Sequence, residues 1–226
     1  IQGVIEGCLM LMTQESISLH GAGRTDAGVH ALGMTASFTT NSAIDCLSFL
    51  RGLNSLLPKD IRVLSVDNAA ADFHARYRSI GKEYCYKFSC EPIILPTNRL
   101  YLAHFPGYFD SVAAQQCLDQ LVGTHDFSSF EAVGSRDLSL AGGRGAVRTI
   151  FQADLDQGSN ESQYAITIAG DGFLRHMVRN IVGTVIETGQ GKRAVSDFCD
   201  IINDKDRSSA GATAPANGLI LNEVFY

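Results

Sequence analysis

GAGRTDAGVHA, residues 21–31, is the segment about which the rest of the chain can be arranged. The run before it, Ile17-Ser18-Leu19-His20, alternates apolar and polar residues and predicts a strand. Residues 35–39 alternate likewise and predict a second strand. Between them Gly21, Gly23 and Gly28 mark a tight loop that can adopt positive φ and admit a close backbone neighbour. Asp26 therefore falls at the tip of a strand–loop–strand unit, beside Thr25 and with the Arg24 guanidinium two residues back. A carboxylate held there is placed to stay ionised and to meet a ligand. Asp and Gly are also ordinary turn residues, so the loop chemistry alone leaves a purely structural turn open. GxGxxG spacing, a Lys-Ser/Thr pair and a following helical pattern are all missing, which weighs against a dinucleotide- or phosphate-binding turn.

The chain has 226 residues, 45% hydrophobic and 19% charged, which fits one large or two modest globular domains with real cores. A formal net charge of -6 argues against strong non-specific nucleic-acid binding, but the charge is unevenly spread. Arg76, Arg78, Lys82 and Lys87 form a basic cluster broken by Glu83, whereas acids gather at Asp197, Asp200, Asp204 and Asp206. There is no run of eighteen apolar residues, so no membrane partner is expected. No signal peptide is visible at Ile1. The six cysteines contain no CxxC pair, which suits reduced, mostly buried thiols in a cytoplasmic protein and does not suit zinc.

Along the chain, residues 3–12 carry a helical pattern, and residues 43–56 read as an amphipathic helix stopped by Pro58. Residues 61–66 read as a strand, as does the second half of FHARYRSIGKEYCYKF (73–88), with Tyr84, Tyr86 and Phe88 on one face. The Pro-bearing stretch from Glu91 to Pro106 is the expected boundary between an N-terminal part, 1–104, and a C-terminal part, 105–226. Beyond it, residues 110–122 read as a helix capped by Asp110 or Ser111. HDFSSF (125–130) and GGRGA (142–146) read as loops. Residues 147–155 and 162–170 predict a hairpin turned at Gly158, Ser159 and Asn160. A long helix over 172–189, a shorter one over 194–203 and a strand over 219–225 complete the chain. The fold class is α+β, a mostly antiparallel sheet with helices on one face.

Among residues able to carry chemistry, Asp26 leads. Arg175 and Arg179, four apart, share a face of the expected long helix. They form either a solvated basic face or, if one turns inward, a partner that keeps Asp26 ionised. His176 reads as a polar neighbour, since no second ligand stands at metal-binding spacing. Tyr84 is either a packing residue or, beside Arg76 and Lys82, an aromatic face on which a nucleobase can stack. No Ser–His–Asp arrangement and no paired carboxylates for glycoside hydrolysis are apparent.

Six blocks, taken in order, resemble the TruA-type tRNA pseudouridine synthases: GAGRTDAGVHA, FHARYRSIGKEYCYKF, HDFSSF, VRTI, GDGFLRHMVRNIVGTVIETG and APANGLILNEVFY. They run over nearly the whole chain. The resemblance implies two ferredoxin-like subdomains, an active-site cleft between the halves, and a homodimer that binds tRNA. It implies Asp26 as the catalytic aspartate, Arg24 as the residue that intrudes into the RNA, and Tyr84 as the aromatic against the uracil. Arg179 is then the basic partner of the aspartate and Leu221 an apolar residue packing the pocket. In a chain of net charge -6 the positive charge must be local, so Arg24, Arg51, Arg76, Arg78, Lys82, Arg175 and Arg179 are expected to cluster on one side of the fold, with Arg76, Arg78, Lys82 and Arg175 as candidate RNA contacts. Two departures stand out. Met34 replaces a usual Gln, a peripheral change. IQGVIEGCL looks like the helix after a first strand and a Gly-Trp-Gln-type loop that this chain lacks, as from a longer native protein.

The implied reaction isomerises uridine to pseudouridine at positions 38, 39 and 40 of the tRNA anticodon arm. The N1–C1′ bond breaks, the base turns, and C5 bonds to C1′. The atoms balance without redox change, so no cofactor or metal is expected. Asp26 attacks the sugar or the base, or removes the C2′ proton, and Tyr84 is a candidate relay for the C5 proton. Two other readings compete: a non-catalytic tRNA-binding module of the same fold, and a nucleotide-dependent enzyme using the glycine loop for phosphate.

Overall fold

The computed structural model describes residues 1–135, 144–158 and 160–226. They form two compact units, one of residues 1–24 and 34–79, the other of residues 25–33 and 80–226. The connection from Glu91 to Pro106 lies inside the second unit, because the long strand before it pairs with strands from the C-terminal part of the chain.

In the first unit, α1 (Gln2–Thr13) and α2 (Cys46–Leu56) pack together around Cys8, Leu9, Phe49 and Leu53. The Asp45 side chain caps α2 by accepting from the Ser48 N–H at 2.9 Å. Ile17 and Leu19 point into the same core, as their alternation predicts. The ladder itself is short: β1 (His20–Gly21) pairs antiparallel with β3 (Ala36–Ser37) over two residues each. Residues 61–66 are not a strand. Their alternation is real, since Ile61, Val63 and Val66 pack on the core, but the Val63 backbone bonds to a side chain. Asn54 Nδ2 donates to the Val63 carbonyl at 2.7 Å, and Val63 N–H donates to Asn54 Oδ1 at 2.9 Å. An amide thus takes the place of a neighbouring strand.

The second unit carries a mixed, mostly antiparallel seven-stranded sheet, in the order β2-β9-β4-β8-β7-β6. Its strands are β2 (His30–Ala31), β4 (Gly81–Ser89), β5 (Ala103–His104), β6 (Gly123–Asp126), β7 (Val147–Gln157), β8 (Gln163–Gly170) and β9 (Leu219–Phe225). β5 continues the sheet beside the end of β4. HDFSSF is therefore only partly loop: its first two residues end β6, and a 3₁₀ turn covers Ser128–Phe130. Of the expected GGRGA loop, residues 142 and 143 lie outside the described residues, as does Ser159 of the expected hairpin turn.

On one sheet face, Tyr86 and Phe88 of β4 and Ile166 and Ile168 of β8 share a core with the helices. These are α3 (Ser111–Asp119), α4 (Met177–Gly189) and α5 (Ser196–Asp204). Each such fully buried large apolar side chain stabilises the fold by about 1.5–3 kcal/mol relative to exposure. Asp110 caps α3 through the N–H groups of Val112 and Ala113. α4 is the central helix, apolar nearly all round and buried along most of its length. Its buried Asn180 is satisfied by donating to the Phe130 carbonyl at 2.7 Å.

The expected start of α4 at residue 172 is five residues too early. His176 sits in the left-handed region at φ 62°, so regular helix begins at Met177. Arg175 consequently precedes the helix, exposed, and does not share a helical face with Arg179. No disulfide forms, and Cys8, Cys85, Cys90 and Cys117 are buried. Among the described residues no helix is long and apolar enough to cross a membrane.

Candidate active site

Asp26 belongs to the segment 25–33, which leaves the first unit after Arg24 and runs with the second. Its carbonyl accepts the Val29 N–H at 3.1 Å, closing a turn in which Gly28 holds φ +84°. That value at the third turn position favours glycine, because an L side chain there is strained. Of the three loop glycines, Gly28 alone uses the freedom of positive φ. Directly after the turn, His30 and Ala31 form β2, parallel to Ile220 and Leu221 of β9. Leu32 N–H extends the contact by donating to the Leu221 carbonyl at 2.8 Å.

β9 pairs on its other side with β4, where Leu221 lies opposite Tyr84. One strand therefore aligns the Asp26 turn with the tyrosine. A register shift falls between Glu83 and Tyr84, so Asn222 is the extra residue and the local twist is altered where Tyr84 leaves the strand. Tyr84 packs edge-on against Phe173, ring centroids 5.1 Å apart at 86°. Burial, reinforced by the nearby Asp26 carboxylate, pushes the Tyr84 phenol up to about 12. It is thus a neutral phenol at neutral pH. Leu221 itself is buried beneath this arrangement.

Arg179 stands in the first turn of α4 and faces Asp26, 153 residues away in sequence. Its Nη1 donates to Asp26 Oδ2 at 3.0 Å, and its Nε donates to the Ala214 carbonyl at 2.8 Å. Ala214 N–H in turn donates to the Arg179 carbonyl at 3.1 Å. The guanidinium is therefore fixed at both edges. The close packing behind it depends on Gly183, one turn on. A Cβ there would lie 3.0 Å from the Ala212 carbonyl carbon and nearer still to its oxygen. The next residue, Pro215, accepts the Tyr86 hydroxyl at 2.9 Å. Burial raises the Tyr86 phenol well above its ordinary value, against the opposing charge of Arg179.

His176 joins the pair: its Nε2 lies 3.3 Å from the same Oδ2. Its left-handed backbone, tolerated by histidine more often than by most residues, turns the ring toward the loop. Asp26 Oδ1 has no hydrogen-bond or ion-pair partner among the described residues. Two nitrogens on one oxygen leave the other available to a ligand. The sequence reads His176 as a polar neighbour and does not name Asp26 as what it meets. Its position three residues before Arg179 in RHMVRN was the available signal.

The other expected residues divide between the units. Arg24, Arg51, Arg76 and Arg78 belong to the first, and Lys82, Arg175 and Arg179 to the second. Arg24 is exposed and makes no ion pair among the described residues; the guanidinium that meets Asp26 is that of Arg179. Arg78 pairs with Asp72. Among the described residues no three His, Cys, Asp or Glu side chains gather as a metal cluster.

A family profile described as tRNA pseudouridine synthase matches residues 1–78 and 118–226. The chain belongs to the tRNA pseudouridine synthase family. This is a family of isomerases acting on tRNA. The chain is 53% identical to tRNA pseudouridine synthase A 1 of Desulfotalea psychrophila, over all of this chain and 90% of that protein. It is 42% identical to tRNA pseudouridine synthase A of Lacticaseibacillus casei, again over all of this chain and 90% of the relative. The Chloroflexus aurantiacus tRNA pseudouridine synthase A is 38% identical, with 100% and 80% covered.

Proposed function

We propose that this chain converts uridine to pseudouridine at positions 38, 39 and 40 of the tRNA anticodon arm, as a cytoplasmic homodimer, with Asp26 as its catalytic carboxylate. The observation that carries the reading is the Asp26–Arg179 pair with one carboxylate oxygen left free, in a chain of this family. The relatives' names support tRNA as the substrate. The anticodon positions and the dimer rest on the resemblance of the sequence blocks.

Chemistry on a base within a stem requires the nucleotide to leave the stack, at a cost of a few kcal/mol. Arg24, exposed and two residues before Asp26 in the sequence, suits filling the vacated space. Tyr84 offers a face to the uracil, a stacking contact worth about 1–3 kcal/mol. Oδ1 of Asp26 is the oxygen that reacts, because Oδ2 is held by Arg179 and approached by His176. Whether Oδ1 attacks a carbon or takes the C2′ proton, the same two nitrogens stabilise the charge carried by its carboxyl partner. Breaking N1–C1′ and forming C5–C1′ leaves a proton on C5 to be lost. The phenol of Tyr84, neutral up to about 12, is not a standing base. It serves as a relay only by handing on one proton as it receives another.

The test is tritium release from tRNA labelled at uridine C5. Release by the parent chain and none by Asp26→Asn, with tRNA affinity retained, is the expected result. Binding without release by the parent would favour the tRNA-binding-module reading.

A further inference from the structure

Next to His176 a cavity of about 360 Å³ opens within the second unit. Arg175, His176, Asn180, Arg207 and Thr213 line it, with Ala132 as an apolar wall. Among the described residues no carboxylate is in the lining. Arg207 is held from behind: Nη2 donates to Asn180 Oδ1 at 3.1 Å and to Thr213 Oγ1 at 3.2 Å. Its Nη1 donates to the Ala210 carbonyl at 3.3 Å. All three acceptors are neutral, so the guanidinium keeps its full charge, and Nε makes no hydrogen bond among the described residues. Arg175, across the cavity, has neither a side-chain hydrogen bond nor an ion pair among the described residues. Asn180 is itself locked by donating to Phe130, and Thr213 Oγ1 donates to Asn180 Oδ1 at 2.6 Å. Two cationic side chains with no acid beside them among the described residues, one of them pre-oriented, make a site for an anion of tetrahedral oxygens. The cavity also borders the first turn of α4, whose N-terminal dipole favours the same charge.

We propose that this cavity binds one backbone phosphate of the RNA substrate, next to the nucleotide presented to Asp26, with Arg207 as its fixed donor and Arg175 closing over it. The inference rests on the tRNA reading above. His176 has one side toward the Asp26 carboxylate and borders the phosphate cavity, so occupancy of the cavity fixes the register in which a nucleotide reaches Oδ1. A role confined to clipping residues 207–213 onto α4 would not require the cavity, nor Arg175 facing it.

The experiment measures binding of the full chain to tRNAs carrying one neutral methylphosphonate, moved stepwise past the target uridine. The wild-type chain is expected to lose about tenfold in affinity at one linkage, the loss of one charge-assisted contact. Arg207→Gln should bind unmodified tRNA correspondingly more weakly and show no further loss at that linkage. Its log K against log salt slope should fall by about one. An Arg207→Gln chain that still shows the wild-type drop of about tenfold at that linkage would overturn the proposal. Should Arg207→Gln fail to fold, Arg175→Gln, which removes no hydrogen bond or ion pair among the described residues, must blunt the loss at the same linkage; an unchanged scan overturns it. A flat scan combined with inorganic phosphate that competes only when Arg207 is present would assign the cavity to free phosphate and overturn the RNA assignment. Tritium release by the parent with a flat scan defeats this inference alone, whereas no release defeats the functional reading beneath it.

Discussion

Replacing Gly183 by alanine tests whether the site is built on a backbone contact. The new Cβ would sit 3.0 Å from the Ala212 carbonyl carbon, closer to its oxygen, and 3.3 Å from Ala214 N. Carbon contacts settle at about 3.5–4.0 Å, so residues 212–214 must retreat from α4 by roughly 1 Å or more. Three hydrogen bonds resist: Gly211 N–H to Thr184 Oγ1 at 2.9 Å, Ala214 N–H to the Arg179 carbonyl, and Arg179 Nε to the Ala214 carbonyl. Overpacking costs about 1–3 kcal/mol and each weakened bond about 1 kcal/mol, while alanine regains about 1 kcal/mol of helix propensity. The net loss is about 3–5 kcal/mol, or about 6–20 °C in Tm for a chain of this size. Thermal unfolding followed by near-ultraviolet dichroism reads the first effect. Tritium release from C5-labelled tRNA, well below the unfolding range, reads the second, because Arg179 loses the carbonyl that aims it. Gly7→Ala in α1 is the control: nothing lies within 4 Å of its Cβ, so it should stabilise by about 0.5–1 kcal/mol. A Gly183→Ala chain with unchanged Tm and turnover would refute the argument that this approach is rigid.

Three further substitutions probe the same surroundings. Arg179→Lys leaves one nitrogen for two targets, Asp26 Oδ2 and the Ala214 carbonyl, so turnover should fall steeply while tRNA affinity holds; wild-type turnover would contradict the two-edged role. Tyr84→Phe keeps the stacking face and removes the hydroxyl. A relay predicts about 100-fold or more lost in single-turnover rate with affinity preserved, and an unchanged rate would limit Tyr84 to stacking. Burial alone would raise the Glu187 carboxyl, but the Ala212 N–H and the Arg193 guanidinium bring it below its ordinary value. A depressed folded value stabilises above the unfolded carboxylate pKa of about 4.3 and is lost as pH falls through the folded one. The stability gap between the parent and Glu187→Gln, read from urea midpoints, should therefore shrink below about pH 4, and a gap independent of pH would count against it.

Much of the fold was legible because periodicity reports which side of an element is buried. The alternation of Tyr84, Tyr86 and Phe88 pointed to the core face of β4, and the apolar residues that recur from Met177 to Ile186, broken by Arg179, Asn180 and Thr184, pointed to a buried helix. Alternation is silent about what satisfies the backbone, which is why 61–66 read as a strand although Asn54 supplies its partner. It is equally silent about where a helix begins when a single residue breaks the pattern by its φ. Nothing in the composition of GFLRHM marks His176 as left-handed, yet that one torsion removes Arg175 from the helix and sends it to a different cavity.

The candidate site was legible as members and illegible as pairs. Asp26, Tyr84, Arg179 and Leu221 could be named from blocks of sequence. Which guanidinium meets the carboxylate depends on topology, since Arg24 is two residues away and Arg179 is 153. The deciding element is β9, the last strand, which borders β2 on one side and β4 on the other. It docks the Asp26 turn against the edge of the sheet that carries Tyr84. α4 then has only to place its first turn over the same edge, and Gly183 permits that by letting residues 212–214 lie against the helix. His176, at the helix start, meets Oδ2 by the same placement, so the left-handed residue that looked like an irregularity of α4 helps determine which oxygen of Asp26 is free.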